Sequence, residues 1–186
     1  MGKPSKGVLY VATGTRHLAE ALRAIPLLRK QHPGLPITLF TDNFGKICLS
    51  LLPNFTYVDV RLIEDHADGN YVKVEGLRNS PYDFTLFLDT DTLVIGRIGE
   101  LFDALTHYNM LAATAPYHHS HSWETEKYPS CIPQFNTGVL PYCRSDETDR
   151  LFQRWIRRKA DLEAEGLPTK NDQCTLYRFQ ITTSFQ

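Results

Sequence analysis

The chain has 186 residues, 42% of them apolar and 22% charged, which suits one well-packed domain and is short for two. Its formal charge of −1 removes the electrostatic case for a nucleic-acid or anionic-membrane partner. No stretch reaches the roughly 20 apolar residues of a membrane span, and Met1-Gly2-Lys3-Pro4-Ser5-Lys6 leads into a strand-like segment without a signal-peptide cleavage pattern.

Residues 7–12 read as a buried strand that leaves through Thr13-Gly14-Thr15. Leu18, Ala21, Leu22, Ile25 and Leu28 then recur at three- and four-residue steps, which predicts a helix over 16–30 with Thr15 as its cap and Pro33-Gly34 beyond its end. Strands follow at 37–41, ending at Asp42-Asn43, and at 57–61, where apolar and polar residues alternate. Strand, helix, strand is the signature of a parallel sheet. Val72, Val74 and Leu77 give 71–78 helical spacing, and this segment delivers the chain to its central strand.

That strand is Phe84-Thr85-Leu86-Phe87-Leu88, too short and too rich in strand formers for a helix. It ends in Asp89-Thr90-Asp91. Two carboxylates two residues apart at a strand mouth can converge on one hard cation, which prefers oxygen ligands and leaves positions open for phosphate. In an open α/β sheet, ligands bind outside the carboxyl ends of the strands. Leu88, Leu93, Val94 and Ile95 flank the pair, so a largely buried setting is expected, in which unpaired charge is costly. The plainer reading is that Asp89 and Asp91 begin a turn.

Beyond the carboxylates, Leu101 to Leu105 suggests a short helix and 110–113 another strand. Residues 116–134 hold His118, His119, His121, Trp123 and three prolines without any period, which predicts a long loop, and loops of that length in a compact domain are often functional. Residues 135–140 read as a returning strand. An amphipathic helix over 150–164 carries Leu151, Phe152, Trp155 and Leu162 and ends at Gly166-Leu167-Pro168. With no internal repeat or linker, residues 1–186 are expected to form a single domain. Cys48, Cys131, Cys143 and Cys174 are scattered with no Cys-x-x-Cys pair, which points to reduced thiols and a cytoplasmic setting.

Four pieces in one order carry a resemblance: Val11-Ala12-Thr13 at a strand exit, Lys73 ahead of the carboxylates, the Asp-x-Asp of LFLDTDTLV, and FNTGV at 135–139 followed after a helix by Asn171-Asp172-Gln173. Together they span nearly the whole chain. The sequence resembles the nucleotide-sugar glycosyltransferases of the GT-A fold, most closely the retaining family that includes glycogenin. The resemblance implies an α/β, Rossmann-like GT-A domain with a mostly parallel central sheet flanked by helices. It implies transfer of a hexose from a nucleoside-diphosphate sugar, UDP-hexose favoured, to a glycan, protein or small-molecule acceptor.

On that resemblance the donor lies against Ala12, Thr13, Gly14 and His17, whose position matches a family tyrosine that stacks on uracil, and against Lys73, Asp89, Thr90, Asp91 and Gly138. Asp91 is the principal ligand and Asp89 a shared ligand for Mn2+ or Mg2+, which stabilises charge on the departing diphosphate. Lys73 reaches the phosphates or secures the loop around them; otherwise it is a solvated lysine on a helix face. Asn136, Asp172 and Gln173 fall beside the transferred sugar, although Asp172-Gln173 also reads as a helix cap with a polar neighbour. The family's later His and Lys, which complete the metal site and hold the diphosphate, have no counterpart within the 186 residues. The third ligand is thus unassigned, with His118, His119 and His121 as candidates, and modest donor affinity with competing hydrolysis is expected.

Two rivals remain at this stage. LFLDTDTLV also fits the nucleophile motif of haloacid-dehalogenase-type phosphatases, in which Asp89 would attack phosphorus and Asp91 serve as acid and base, but that motif normally sits on the first strand. The other rival is a domain that binds the nucleotide sugar and transfers nothing.

Overall fold

Most of the short apolar runs bounded by turn residues become strands, and the three-four patterns between them become helices. The computed structural model describes residues 2, 4–64, 72–114 and 135–166. The elements in order are β1 (Lys6–Ala12), α1 (Gly14–Gln31), β2 (Ile37–Thr41), α2 (Asn43–Ser50), a 3-10 turn at Pro53–Phe55, β3 (Val58–Leu62), α3 (Val72–Arg78), β4 (Phe84–Leu88), α4 (Gly99–Ala104), β5 (Val139–Cys143) and α5 (Asp146–Ala164).

The strands form one sheet in the order β3-β2-β1-β4-β5. β1 pairs in parallel with β2, Tyr10 beside Leu39, and with β4, Val8 beside Leu86. β3 continues the parallel set, and β5 alone runs antiparallel, with Leu88 beside Val139. The chain therefore proceeds from β1 outward to β3 on one side and returns to β4 on the other. That makes the gap between the ends of β1 and β4 the switch point of the sheet, where such folds receive ligands.

Alternation along the strands splits the core between two faces. Val8, Tyr10 and Ala12 pack with Leu18, Ala21, Ile25 and Leu28 of α1 and with Leu49 of α2. Leu9, Phe87, Leu140 and Tyr142 face the other way, onto Val74 and Leu77 of α3 and onto Phe152 and Trp155 of α5. Helix α1 runs through Pro26 without interruption, its buried stripe including Ile25 and Leu28 on either side.

Several expectations are corrected. The residue before α1 is Thr13, not Thr15, and its side chain makes no cap bond. α5 starts at Asp146 rather than 150, because Ser145 and Thr148 form a reciprocal capping box, Thr148 N donating to Ser145 Oγ at 3.2 Å and Ser145 N to Thr148 Oγ1 at 3.0 Å. Residues 110–113 contribute only an isolated antiparallel bridge between Met110 and Tyr142, and Phe135 another with Thr114, so regular pairing of the return strand waits until Val139. Helix α2 was not expected at all. Among the described residues no helix is long and apolar enough to cross a membrane.

Candidate active site

Because β1, β2 and β4 are parallel, their carboxyl ends bring Ala12-Thr13-Gly14, Thr41-Asp42 and Asp89-Thr90-Asp91 to one edge of the sheet. Asp42 organises the first two. Its Oδ1 accepts from Gly45 N at 2.7 Å and caps α2, while its Oδ2 accepts from Gly14 N at 2.7 Å and closes the start of α1. Gly14 has φ +70, a left-handed backbone that suits glycine and lets the chain turn sharply out of β1. Thr41 Oγ1 donates to the Ala12 carbonyl at 2.7 Å, so that carbonyl is already tied to β2. Ala12 is buried, Thr13 half-buried and Gly14 and His17 exposed, a gradient from core to edge.

The carboxylates sit on the turn that leaves β4, with Thr92 N donating to the Asp89 carbonyl at 3.0 Å. The plainer reading, a turn at the strand mouth, is thus realised. The expected burial is not. Asp91 is exposed, the Asp89 side chain is 35% exposed, and Ile95 stands 89% in solvent. Of the apolar residues beyond the motif, Val94 alone among Leu93, Val94 and Ile95 returns to the core, because the chain has already left the sheet.

Lys73 is not a solvated helix lysine. Its side chain is 12% exposed, and its Nζ donates to Asp89 Oδ1 at 3.2 Å and to Thr137 Oγ1 at 3.1 Å, above the Phe87 ring at 5.4 Å. The first turn of α3 therefore grips the first carboxylate of the motif. On the far side Asp89 N donates to the Gly138 carbonyl at 2.8 Å, and Gly138 N donates to Asn136 Oδ1 at 2.8 Å. A Cβ on Gly138 would stand 2.9 Å from Asp89 Oδ2, so any side chain here would push that oxygen from its place. The close approach expected of Gly138 is thus to Asp89 itself, and the amide oxygen of Asn136 is turned into its own loop.

Thr90, buried between the two aspartates, donates from Oγ1 to Glu20 Oε2 at 2.7 Å. Glu20 lies on α1 and also accepts from Arg16 and His17. The Thr90 hydroxyl, more than any other neighbour, holds the Glu20 carboxyl below the usual carboxylate range. Sequence reading gave no role to Glu20 or Asp42, which fall on no apolar stripe and in no motif, nor to Thr137, which lies inside FNTGV, because a polar residue's partner across the fold leaves no local signal. Asp172 and Gln173, with His118, His119 and His121, lie outside the described residues. Among the described residues no group of three His, Cys, Asp or Glu side chains gathers as a metal cluster. The donor set at the turn is carboxylate oxygen only, which suits a hard divalent cation.

A five-stranded, mostly parallel sheet flanked by helices, with an Asp-Thr-Asp turn at its switch point, is the α/β architecture of the GT-A fold, the fold class the sequence predicts. Among solved structures the chain is similar to an active-site mutant of LgtC, with a TM-score of 0.66 and 14% identity over 91% of this chain and 68% of that one. The galactosyltransferase LgtC in complex with donor and acceptor sugar analogues gives 0.62 and 14%, over 91% and 69%. The glycosyltransferase GlyE of Streptococcus pneumoniae TIGR4 gives 0.59 and 17%, over 94% of this chain and 43% of that one. At such identities the shared property is the fold. No protein-family model and no curated protein sequence matches the chain.

Proposed function

We propose that the chain is a metal-dependent glycosyltransferase that moves a hexose from a nucleoside-diphosphate sugar, UDP-hexose favoured, to an acceptor hydroxyl with retention of configuration. In the reaction the bond from sugar C1 to phosphate oxygen breaks and one from C1 to the acceptor oxygen forms. The nucleoside diphosphate leaves with the electron pair, and the hydroxyl proton is released. The observation that carries this reading is the meeting of Asp89-Thr90-Asp91 with the Ala12-Thr13-Gly14 strand exit across the switch point, in a fold shared with glycosyltransferases.

Asp91 and Asp89 would hold Mn2+ or Mg2+, which supplies positive charge to the diphosphate as it departs. The chain's own residues do the remaining work. Lys73 fixes Asp89 and adds a cation close to where the phosphates would lie. Gly138 leaves room for the carboxylate, and Ala12, Thr13, Gly14 and His17 form the surface offered to the nucleoside. Asp172, Gln173 and Asn136 are assigned to the sugar by family resemblance. The motif lies on the fourth strand, whereas the phosphatase alternative needs it on the first.

The test is incubation with a panel of nucleotide sugars and Mn2+, following diphosphate release, sugar transfer and product anomer by NMR. Acceptor-dependent release with the donor's anomeric configuration kept supports the proposal. Binding without turnover on any acceptor supports the non-catalytic alternative, and release of phosphate from an aryl phosphate supports the phosphatase.

A further inference from the structure

We propose that Glu20 is a positioning residue that couples the metal-binding turn to the nucleoside-facing ring of His17. The inference rests on the donor-site reading above and assigns a role to a residue outside the motif. Glu20 lies two turns into α1 with its side chain 23% exposed. One of its oxygens, Oε2, accepts from Thr90 Oγ1 at 2.7 Å and faces His17 Nδ1 at 3.2 Å, while Oε1 accepts from Arg16 Nε at 3.1 Å.

The Arg16 contact alone would be an ordinary pair four residues apart on an exposed helix face. The other two contacts have a different character. Thr90 is buried at the apex of the turn, and a buried hydroxyl must find a partner. It finds a carboxylate at a distance typical of strong charge-assisted bonds. Pinning the middle residue restricts how far Asp89 and Asp91 can splay on either side of it. Two carboxylates repel each other unless a cation intervenes, and a turn held in its binding geometry does not have to be ordered when the cation arrives. Lys73 fixes Asp89 from the α3 side, so Glu20 supplies the complementary hold from α1.

At His17 the consequence is a tautomer. A carboxylate opposite Nδ1 makes that nitrogen the donor, leaving Nε2 as the acceptor in the neutral ring. The ring is 53% exposed, so its orientation is set by Glu20 rather than by packing. One carboxylate thus fixes both the turn that takes the metal and the imidazole offered to the base. Arg16 offsets the added negative charge beside the metal carboxylates.

The experiment uses Glu20→Gln, Thr90→Val and the double variant in the full chain, with UDP as the probe. Calorimetry gives the affinity for UDP with Mn2+ and with chelator, and imidazole 15N shifts give the His17 tautomer without any ligand. The gain in affinity from Mn2+ should fall about tenfold in Glu20→Gln, the order expected when a hydrogen bond to a charged group loses the charge that strengthens it. Thr90→Val should lose a similar amount, and the double variant no more than either alone, because both act on the same charge-assisted bond. The His17 shifts should move away from the Nδ1–H form in Glu20→Gln and stay put in Thr90→Val. A residue that only braced the helix would lower Tm and move neither readout. An unchanged Mn2+ gain in Glu20→Gln, multiplying effects in the double variant, or an unmoved His17 tautomer overturns the inference while leaving the donor site intact. If the unsubstituted chain itself gains nothing from Mn2+, the donor-site reading falls and takes this one with it.

Discussion

Replacing Gly138 by alanine perturbs the site through one methyl group whose surroundings are known. Its Cβ would stand 2.9 Å from Asp89 Oδ2 and 3.1 Å from Asn136 Oδ1, where ordinary contact begins at 3.4 Å. The Asp89 oxygen must therefore retreat by 3.4 minus 2.9, or about 0.5 Å, with the Asn136 oxygen giving way by less. Retreat is resisted, since Asp89 is held by Lys73 Nζ at 3.2 Å and by its own N–H to the Gly138 carbonyl at 2.8 Å. Gly138 is not in the left-handed region, so alanine can adopt the backbone and the damage comes from the contact. Overpacking of this kind costs about 1–3 kcal/mol of stability. A misplacement of about 1 Å at reacting groups can cost 100-fold in rate, so half of that should lower turnover by about tenfold. The assay is diphosphate release at saturating donor, alongside calorimetry with Mn2+ and a thermal melt. If Gly138→Ala keeps both turnover and Mn2+-dependent affinity, Asp89 is not the group whose position matters, and the reasoning fails.

The remaining predictions concern the cation, the core and acid. Lys73→Met should weaken Mn2+ binding, read by electron paramagnetic resonance, only slightly, because the lost hold on Asp89 is offset by removal of a nearby cation, and should weaken UDP binding about tenfold through the lost charge near the proposed phosphate position; equal loss of both would confine Lys73 to holding Asp89. Tyr142→Phe removes the hydroxyl that donates to the Leu77 carbonyl at 2.6 Å across β5 and α3. It should cost about 1–2 kcal/mol in urea unfolding with donor affinity unchanged, and a neutral result would mean that the carbonyl finds another partner. The Asp83 carboxyl is held below its ordinary range by the backbone N–H and then the hydroxyl of Ser5. Its contribution is therefore present above the usual carboxylate value, near pH 4, and is lost as pH falls through the lower folded value. Asp83→Asn should destabilise the chain at pH 7 and the gap to the unsubstituted protein should close by pH 2; an equal gap at both values would contradict the assignment.

The fold was legible where a run of residues meets its partners through backbone and apolar surface. β2 and β4 have the bounds expected from sequence, because Ile37–Thr41 and Phe84–Leu88 are buried runs with turn residues at both ends. α2 was not legible, because Gly45 interrupts it and Phe44 and Ile47 point to solvent, leaving Gly45 and Leu49 as its buried residues and no stripe to read. The return strand was placed four residues early, since the Asn136 amide closes a turn onto Gly138 before pairing can start. At the site, Asp89 and Asp91 were legible as a pair on a strand end, and their exposure was not, because the apolar letters after them do not all belong to the core. Resemblance alone brought Lys73 to the site, and its bond to Asp89 is visible only in the fold. Glu20 left no trace in the sequence, since a glutamate on a helix reads as surface until the fold brings Thr90 to it.

The proposed nucleotide-sugar site depends on a cation held between Asp89 and Asp91. Isothermal calorimetry of UDP-hexose against the chain, in Mn2+ and in chelator, tests it most directly, with Asp91→Asn as the paired control. Binding should be at least tenfold tighter in Mn2+, on the order expected for neutralising phosphate charge by a metal, and Asp91→Asn should lose this gain while retaining its melting temperature. Equal affinities in Mn2+ and chelator, or an Asp91→Asn variant that keeps the full gain, would contradict it.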